Sequence, residues 1–143
     1  MPVVYVNIGS NLGDKRKLIE KALKGIGEEF GFYCVSGFVE SEPWGFNSAK
    51  SFLNIGAAFY SDNHPEAILE KLQFIEKSIN PASHRDKEGR YIDREIDIDI
   101  MAIDEMIYDS ERLHIPHPHL LERDFFLKPL KELAPLWRHP FVH

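Results

Sequence analysis

The segment that most constrains the fold is a strict alternation of isoleucine and aspartate at residues 96–100. Side chains on a β-strand point alternately to its two faces, so Asp97 and Asp99 share one face and the isoleucines share the other. Residues two apart on a strand lie roughly 6.5–7 Å apart along the chain. Carboxylates at this spacing can bind a hard cation such as Mg²⁺. The alternative is an ordinary half-buried strand with solvated acids, and the pattern alone leaves both open.

Cationic side chains surround this acidic strand in the sequence. Arg85, Arg90 and Arg94 precede it, and His117 and Arg123 follow it. Guanidinium groups and metal ligands are the groups that hold phosphate oxygens in proteins. We therefore predict a site for a bound polyphosphate.

Composition indicates a single globular domain. Of the 143 residues, 43% are hydrophobic and 28% are charged, which suits one domain spanning residues 1–143. The chain has no apolar run of about 18 residues and no signal-peptide layout, so we expect a cytoplasmic protein without a membrane partner. The net charge of −6 argues against a nucleic-acid partner. The single cysteine, Cys34, can form no internal disulfide, and we expect it in the core.

Periodicity predicts alternating strands and helices. The predicted strands cover residues 3–8, 32–39, 52–60 and 96–103. One helix is expected after a turn at residues 9–14, ending near Gly25 or Gly27, and a second is expected to begin at Pro65. The order predicts an α+β fold of the ferredoxin-like βαββαβ type. Its antiparallel sheet would carry helices on one face and leave the other free for loops and ligands, with a short C-terminal helical extension at residues 120–133.

Two segments look like ligand-binding loops. Residues 9–13 contain two glycines but lack the spacing of a P-loop, so a tight strand-to-helix turn is favoured. The polar, aperiodic residues 81–90 suit either a solvated connector or a lid over a site. Whether Arg85 or Arg90 would act on phosphate stays open.

Histidines and aromatic residues add two further hypotheses. Prolines around His117 and His119 force an extended path, and this pair alone is a weak zinc signal. We interpret His117 as a hydrogen-bond donor to phosphate and His119 as a surface residue or the start of a helix. Phe52, Trp44 and Phe125 are of a type usually found in the core, but near Asn54 such residues can sandwich a flat heterocycle. The aromatic residues therefore have two open interpretations.

Together these segments resemble the 6-hydroxymethyl-7,8-dihydropterin pyrophosphokinases, a family of folate biosynthesis. The resemblance covers nearly the whole chain, from residues 5–13 to residues 125–130. Its most specific part is Asp93-Arg94-Glu95-Ile96-Asp97-Ile98-Asp99-Ile100-Met101, followed at the expected distance by Ile115-Pro116-His117 and Arg123-Asp124-Phe125. The resemblance implies a ferredoxin-like fold. It also implies transfer of pyrophosphate from Mg-ATP to the hydroxymethyl group of the pterin, with release of AMP.

The resemblance further implies roles for individual residues. Asp97 and Asp99 would bind two Mg²⁺ ions and, with Arg94, form the catalytic set. The residues implied to contact ATP are Gln73, Arg94, Ile100, Arg112, Leu113, His114, His117 and Arg123. Those implied to contact the pterin are Ser41, Glu42, Pro43, Trp44, Phe52, Asn54 and Phe125. The implied partners are ATP and a reduced pterin, with no obligate protein partner.

A second class of function stays open, namely a ferredoxin-like module that binds a small ligand without catalysis. A module for single-stranded nucleic acid is less favoured, because it requires exposed aromatic residues among basic ones. The isoleucine and aspartate strand does not provide that surface.

Overall fold

The computed structural model describes residues 1–41, 51–80 and 96–142. Its strands are β1 (Val3–Ser10), β2 (Tyr33–Ser41), β3 (Phe52–Tyr60), β4 (Asp97–Ile103), β5 (Tyr108–Asp109) and β6 (His114–Ile115). Its helices are α1 (Lys15–Phe30), α2 (Pro65–Ile79) and α3 (Asp124–Leu133). Within these described ranges, no helix is long and apolar enough to cross a lipid bilayer.

The four longer strands form one antiparallel sheet in the order β2-β3-β1-β4. The strand and helix order predicted from the sequence is confirmed through β4, and the fold is of the α+β class. Strand β1 occupies an interior position between β3 and β4. Residues of β1 therefore have backbone partners on both sides, and this arrangement aligns side chains of three strands in rows.

One face of the sheet carries the main core. Val4, Val6 and Ile8 of β1 are fully buried and pack with apolar residues of α1 and α2. Their partners across the sheet, including Ile55 of β3 and Ile98 of β4, are buried on the same face. Burying a side chain of this size stabilises a fold by about 1.5–3 kcal/mol. The alternation along β1 and β4 thus fixes which face remains for polar groups.

Helix α3 covers part of the opposite face. Phe126 and Leu130 bury its apolar side with Met101 of β4, and the helix contacts β2 and β3. At Gly56 a Cβ atom would lie 2.6 Å from the Cβ of Pro129, so only glycine permits this approach. The prediction that this face is free for ligands is therefore wrong on its β2–β3 side. The physical reason is that α3 must bury its own apolar stripe.

Helix α1 extends beyond its predicted end. It continues through Gly25 and Gly27 to Phe30 and ends at Gly31, whose φ is 89°. A Cβ at Gly25 would lie 3.0 Å from Ile75, and one at Gly27 would lie 3.2 Å from Tyr33. These two glycines therefore permit close packing, whereas Gly31 permits the left-handed turn that ends the helix.

Other local predictions have mixed outcomes. The strand-to-helix turn after β1 is confirmed, because Asp14 caps α1 by accepting a hydrogen bond from the Lys17 backbone N–H at 3.2 Å. The start of α2 at Pro65 is also confirmed. The prediction that Cys34 lies in the core is wrong, because this residue is exposed. It lies on β2, an edge strand on which Ser36 is the buried residue.

Candidate functional site

The uncovered part of the sheet carries polar side chains in rows across three strands. Asp97 and Asp99 are half-buried on this face, and the intervening Ile98 is buried in the core, so the predicted sharing of one face is confirmed. Backbone pairing places each aspartate beside a residue of β1, which in turn pairs with β3. The two rows are Asn54–Gly9–Asp97 and Gly56–Asn7–Asp99.

A third carboxyl group, that of Glu76, lies beneath the two aspartates. Glu76 is 7% exposed and accepts a hydrogen bond of 2.7 Å from the backbone N–H of Ile98. Burial, and then the negative charge of Asp97, raise the pKa of Glu76 to about 8, although the Ile98 N–H acts in the opposite direction. At neutral pH Glu76 therefore keeps a proton, which it can donate in its side-chain hydrogen bond to Asp97.

Glu76 is a site residue that the sequence motifs do not identify. A local signal for it exists, because Glu76 falls among Leu72, Ile75 and Ile79 on the apolar stripe of α2. An acid on a buried helical face requires a hydrogen-bonding partner. The sequence could have flagged Glu76 as unusual, but its partner on β4 depends on the tertiary fold.

Arg123 is a basic residue whose guanidinium group lies near the two aspartates. Burial lowers the pKa of the Arg123 guanidinium, and the charges of Asp99 and Asp97 act in the opposite direction. The Cζ atom of Arg123 lies 5.0 Å from the ring centre of Phe126, which orients the guanidinium over an aromatic face. Arg123 thus belongs to the same electrostatic neighbourhood as the aspartates.

The surroundings of His117 determine the protonation state and the tautomer of its imidazole ring. Burial, and then the positive charge of Arg123, lower the pKa of His117 to about 4. The backbone N–H of His119 donates to Nδ1 of His117 at 3.1 Å. Since Nδ1 accepts, the neutral ring carries its proton on Nε2 and can donate it to a ligand. This geometry is compatible with the predicted role of His117 as a hydrogen-bond donor to phosphate. The side chain of His119 contacts Glu122 at the surface.

Asn54, near the N-terminal end of β3, holds its carboxamide group in a fixed orientation. Asn54 is 2% exposed, and its Nδ2 donates to the Val39 carbonyl at 3.1 Å and to the Ser41 hydroxyl at 2.8 Å. A Cβ at Gly9 would lie 2.8 Å from Oδ1 of Asn54 and 3.4 Å from Phe52. The carboxamide oxygen and the Phe52 ring thus both approach the Gly9 backbone, which must lack a side chain.

The second predicted stacking residue, Phe125, lies over the neighbouring row. Nδ2 of Asn7 donates to the Phe125 carbonyl oxygen at 2.6 Å. Asn7 and Gly9 share a face of β1, and such positions are separated by roughly 6.5–7 Å. Phe52 and the Phe125 backbone therefore lie at neighbouring rows of the sheet, beside Gly9 and Asn7 respectively.

Four further residues predicted to contact ATP divide into a buried pair and an exposed pair. Ile100 and Leu113 are buried in the main core, so only their backbone atoms can reach a ligand. Arg112 and His114 are exposed on the hairpin of β5 and β6, and β6 contacts β4. Gln73 is half-buried on α2, three residues before Glu76.

Arg112 already has acidic partners on α2. Its NH1 lies 3.3 Å from Glu70 and its Nε lies 3.9 Å from Glu66. His114 in turn contacts Asp109 of the same hairpin. A nucleotide that binds Arg112 would therefore have to compete with these two carboxylates. The Arg112–Glu70 ion pair is exposed, and such pairs contribute little to stability.

Several predicted residues lie outside the described ranges, namely Glu42, Pro43, Trp44, Arg85, Arg90 and Arg94. The candidate lid at residues 81–93 is outside them as well. Asn80 and Ile96, which flank that stretch, are joined twice. Nδ2 of Asn80 donates to the Ile96 carbonyl at 2.5 Å, and the Ile96 N–H donates to Oδ1 of Asn80 at 3.0 Å.

The donor set of Asp97 and Asp99 fits Mg²⁺. Both side chains offer only oxygen ligands, and their negative charges add to the effect of burial in raising the pKa of Glu76. Within residues 1–41, 51–80 and 96–142, no group of three or more potential ligand residues is arranged to hold a metal. Mg²⁺ commonly takes one or two protein carboxylates and completes its shell with water and substrate phosphates.

The chain is similar to known proteins along nearly its whole length. The sequence profile of the family described as 7,8-dihydro-6-hydroxymethylpterin-pyrophosphokinase (HPPK) matches residues 5–135. A Porphyromonas gingivalis protein named 2-amino-4-hydroxy-6-hydroxymethyldihydropteridine pyrophosphokinase is 40% identical, over 98% of this chain and 95% of that protein. An Aquifex aeolicus protein of the same name is 35% identical, over 98% of this chain and 85% of that protein.

A solved structure gives the corresponding comparison in three dimensions. The chain is similar to Plasmodium falciparum HPPK-DHPS in complex with pteroate, with a TM-score of 0.71. The match covers 99% of this chain and 40% of that chain, at 16% identity. The likeness shows a shared fold, and this chain spans about two fifths of the longer protein.

Proposed function

The chain belongs to the 7,8-dihydro-6-hydroxymethylpterin-pyrophosphokinase family, and we propose that it transfers pyrophosphate from ATP to the hydroxymethyl group of 6-hydroxymethyl-7,8-dihydropterin. The reaction releases AMP and belongs to folate biosynthesis. The observation that carries the proposal is the row in which Asn54 and Asp97 flank Gly9. It sets a group that can recognise a heterocycle beside a group that can hold a metal–phosphate complex.

The proposal includes the finer features of the fold. A sheet order of β2-β3-β1-β4, with α1 and α2 on one face, supports a ferredoxin-like arrangement. We take residues 1–143 to form one domain of this type, with α3 as its C-terminal addition. The cytoplasm, where ATP is available, is the proposed location.

Asp97 and Asp99 are the proposed ligands of two Mg²⁺ ions. When bound, the metal supplies positive charge that stabilises the negative charge of the triphosphate. Arg123 would donate to phosphate oxygens because it lies in the electrostatic neighbourhood of the aspartates, and the Nε2–H of His117 would do so because His117 lies beside Arg123. Gln73, Arg94, Arg112 and His114 complete the proposed contacts to ATP, together with the backbone at Ile100 and Leu113.

The pterin is proposed to bind between Phe52 and Phe125. Oδ1 of Asn54 would accept hydrogen bonds from N–H groups on the edge of the ring, since Nδ2 of Asn54 is already engaged by Val39 and Ser41. Glu42, Pro43 and Trp44 are proposed to add contacts to the same ring. This placement would hold the hydroxymethyl group toward the phosphate site, which lowers the entropic part of the barrier.

The transfer itself requires little covalent chemistry from the protein. The pterin hydroxyl oxygen forms a bond to the β-phosphorus, and the bond from that phosphorus to the oxygen bridging to the α-phosphate breaks. AMP leaves with the bridging oxygen, and the hydroxyl proton passes to solvent. Glu76 is not proposed as the base, because its buried carboxyl group reaches β4 from α2, on the core side of the sheet.

Substitutions at the aspartates test the assignment of the site. Asp97→Asn and Asp99→Asn are each expected to lower pterin-dependent AMP formation by roughly 100-fold or more, a loss typical of removing a group that stabilises transition-state charge. Asp62→Asn, at an exposed turn before α2, is the matched control and should keep full activity. Circular dichroism would establish that the variants fold. Full activity in either site variant would refute the metal assignment, and tight pterin binding without AMP formation by the wild type would favour a binding module.

A further inference from the structure

Asn7 is a buried polar residue in the middle of the sheet. It is 2% exposed on β1, between Gly56 of β3 and Asp99 of β4. A carboxamide costs free energy when buried unless its hydrogen bonds are satisfied. The partner of its Nδ2 group is the Phe125 carbonyl oxygen at 2.6 Å, on a residue 118 positions away in the sequence.

The sequence of α3 explains why the Phe125 carbonyl needs this donor. In an α-helix the carbonyl of residue 125 accepts from the N–H of residue 129. Residue 129 is Pro129, which lies inside α3 and has no N–H. The Phe125 carbonyl therefore lacks its helical donor, and Nδ2 of Asn7 supplies the hydrogen bond from the sheet. Pro129 in turn approaches Gly56, the β3 partner of Asn7.

We propose that Asn7 is a positioning residue for pterin binding, which holds Phe125 at its stacking position through the Phe125 carbonyl group. The inference rests on the proposed function, in which the Phe125 ring contacts the pterin. Asn7 pairs with Asp99 along the backbone, so it ties the position of the stacking residue to the strand that bears the metal ligands. A displaced Phe125 would weaken binding of the pterin directly, whereas it would affect ATP only through Arg123, whose Cζ atom lies 5.7 Å from the Phe125 ring centre.

A second anchor of α3 provides a matched control. Near the other end of the helix, Oε1 of Glu132 accepts a hydrogen bond of 3.0 Å from the Gly37 N–H of β2. This contact also joins α3 to the sheet, but it lies seven residues along the chain from Phe125. If Asn7 only stabilised the fold, loss of either anchor would affect ligand binding in the same way.

The variants are chosen to remove and then restore the donor. Asn7→Leu keeps the approximate size of the side chain and removes the N–H donor. Pro129→Ala keeps the Cβ atom that approaches Gly56 and adds the missing helical N–H. The double variant therefore gives the Phe125 carbonyl a donor from its own helix. If Asn7→Leu does not fold, Asn7→Ala removes the same donor without apolar bulk and replaces it in the series.

The measurement is the dissociation constant of 6-hydroxymethyl-7,8-dihydropterin with a non-hydrolysable ATP analogue and Mg²⁺ present, alongside that of the analogue alone. Asn7→Leu should weaken pterin binding by about 5- to 10-fold, as expected for one lost hydrogen bond. Analogue binding should change less than about 2-fold, and Glu132→Ala should change neither constant. Adding Pro129→Ala should restore most of the lost pterin affinity.

Three results would overturn the inference. Unchanged pterin binding in Asn7→Leu, with a loss in Phe125→Ala, would refute the role of Asn7 and leave the proposed pterin site intact. Equal weakening of both ligands, or no recovery with Pro129→Ala, would show a structural role only. Unchanged pterin binding in Phe125→Ala as well would instead refute the proposed stacking site.

Discussion

Glu76 on α2 and Ile98 on β4 are joined by a hydrogen bond of 2.7 Å, from the backbone N–H that lies between the two aspartates to a buried carboxyl oxygen. This bond ties the helix behind the sheet to the strand that presents Asp97 and Asp99. Because Glu76 keeps its proton at neutral pH, it adds no negative charge beside Asp97 and Asp99. Protonation of Glu76 thus reduces the electrostatic repulsion among the neighbouring carboxyl groups.

The Glu76→Gln variant should become more stable than the wild type as pH rises. The folded protein holds a proton on Glu76 up to about pH 8, whereas the unfolded chain releases it near the ordinary glutamate pKa of 4.5. Folded protein therefore binds more protons between these values, and its stability falls as pH rises through that window. Glutamine does not titrate. We expect the variant to gain ~2–4 kcal/mol relative to wild type between pH 5 and pH 8.5.

Urea unfolding without Mg²⁺ at these two pH values measures that difference. Glu20→Gln, on the exposed side of α1, is the control and should follow the wild-type pH dependence. Parallel pH curves for Glu76→Gln and wild type would contradict the raised pKa.

His117 should make the opposite contribution on the acid side. Its folded-state pKa is lowered to about 4 from an ordinary value of 6.5. The unfolded chain therefore binds a proton that the folded protein excludes, and stability is lost as pH falls from 6.5 toward 4. His117→Gln should show a shallower loss of the free energy of unfolding across this window. His139→Gln, near the C-terminus, is the matched substitution.

Nitrogen NMR provides a second check on His117. At pH 6 the ring should be neutral, with its proton on Nε2, because the His119 backbone N–H occupies Nδ1. A ring that carries protons on both nitrogens at pH 6 would contradict the account, as would an unchanged acid slope in His117→Gln.

Substitution of the stacking residues should weaken binding of the pterin much more than binding of ATP. Stacking of an aromatic side chain on a heterocycle contributes roughly 1–3 kcal/mol, so Phe52→Ala or Phe125→Ala should raise the pterin dissociation constant by about 10-fold or more. Calorimetric titration would measure both ligands. Phe74→Ala is the control, since Phe74 is 74% exposed on α2. Equal effects of all three substitutions would refute the proposed stacking of the pterin between Phe52 and Phe125.

Asn80 should be important for stability. Its buried side chain exchanges two hydrogen bonds with the Ile96 backbone, and Asn80→Ala leaves both backbone groups without this partner. At ~1–3 kcal/mol for each buried group, we expect a loss of about 2–4 kcal/mol in the free energy of unfolding. Asn63→Ala, at an exposed position before α2, should change it by less than about 0.5 kcal/mol. A loss for Asn80→Ala as small as that of the control would show that the double contact does not stabilise the fold.

The parts of the fold that could be predicted from the sequence depend on local periodicity. Asp97 and Asp99 share a face because one side of β4 is covered by the core, and a period of two then fixes every side chain. The start of α2 at Pro65 follows from the fixed φ and missing N–H of proline. These features need no knowledge of distant residues.

The predictions that failed depend on neighbours across the fold. Cys34 lies in an apolar run, but its strand is at the edge of the sheet, which the run does not reveal. Gly25 permits close packing against Ile75 of another helix, so it did not end α1. The roles of Glu76 and Asn7 likewise depend on pairings with β4 and α3, and local patterns could not identify those partners.

The most direct test of the central claim is to identify both products of the reaction. The wild-type protein would be incubated with ATP, Mg²⁺ and 6-hydroxymethyl-7,8-dihydropterin, and the phosphorus-containing products would be followed by NMR. The account predicts AMP and the pterin diphosphate in equal amounts, with neither formed when the pterin or Mg²⁺ is omitted. Formation of ADP with a pterin monophosphate, or no pterin-dependent consumption of ATP by the folded protein, would contradict it.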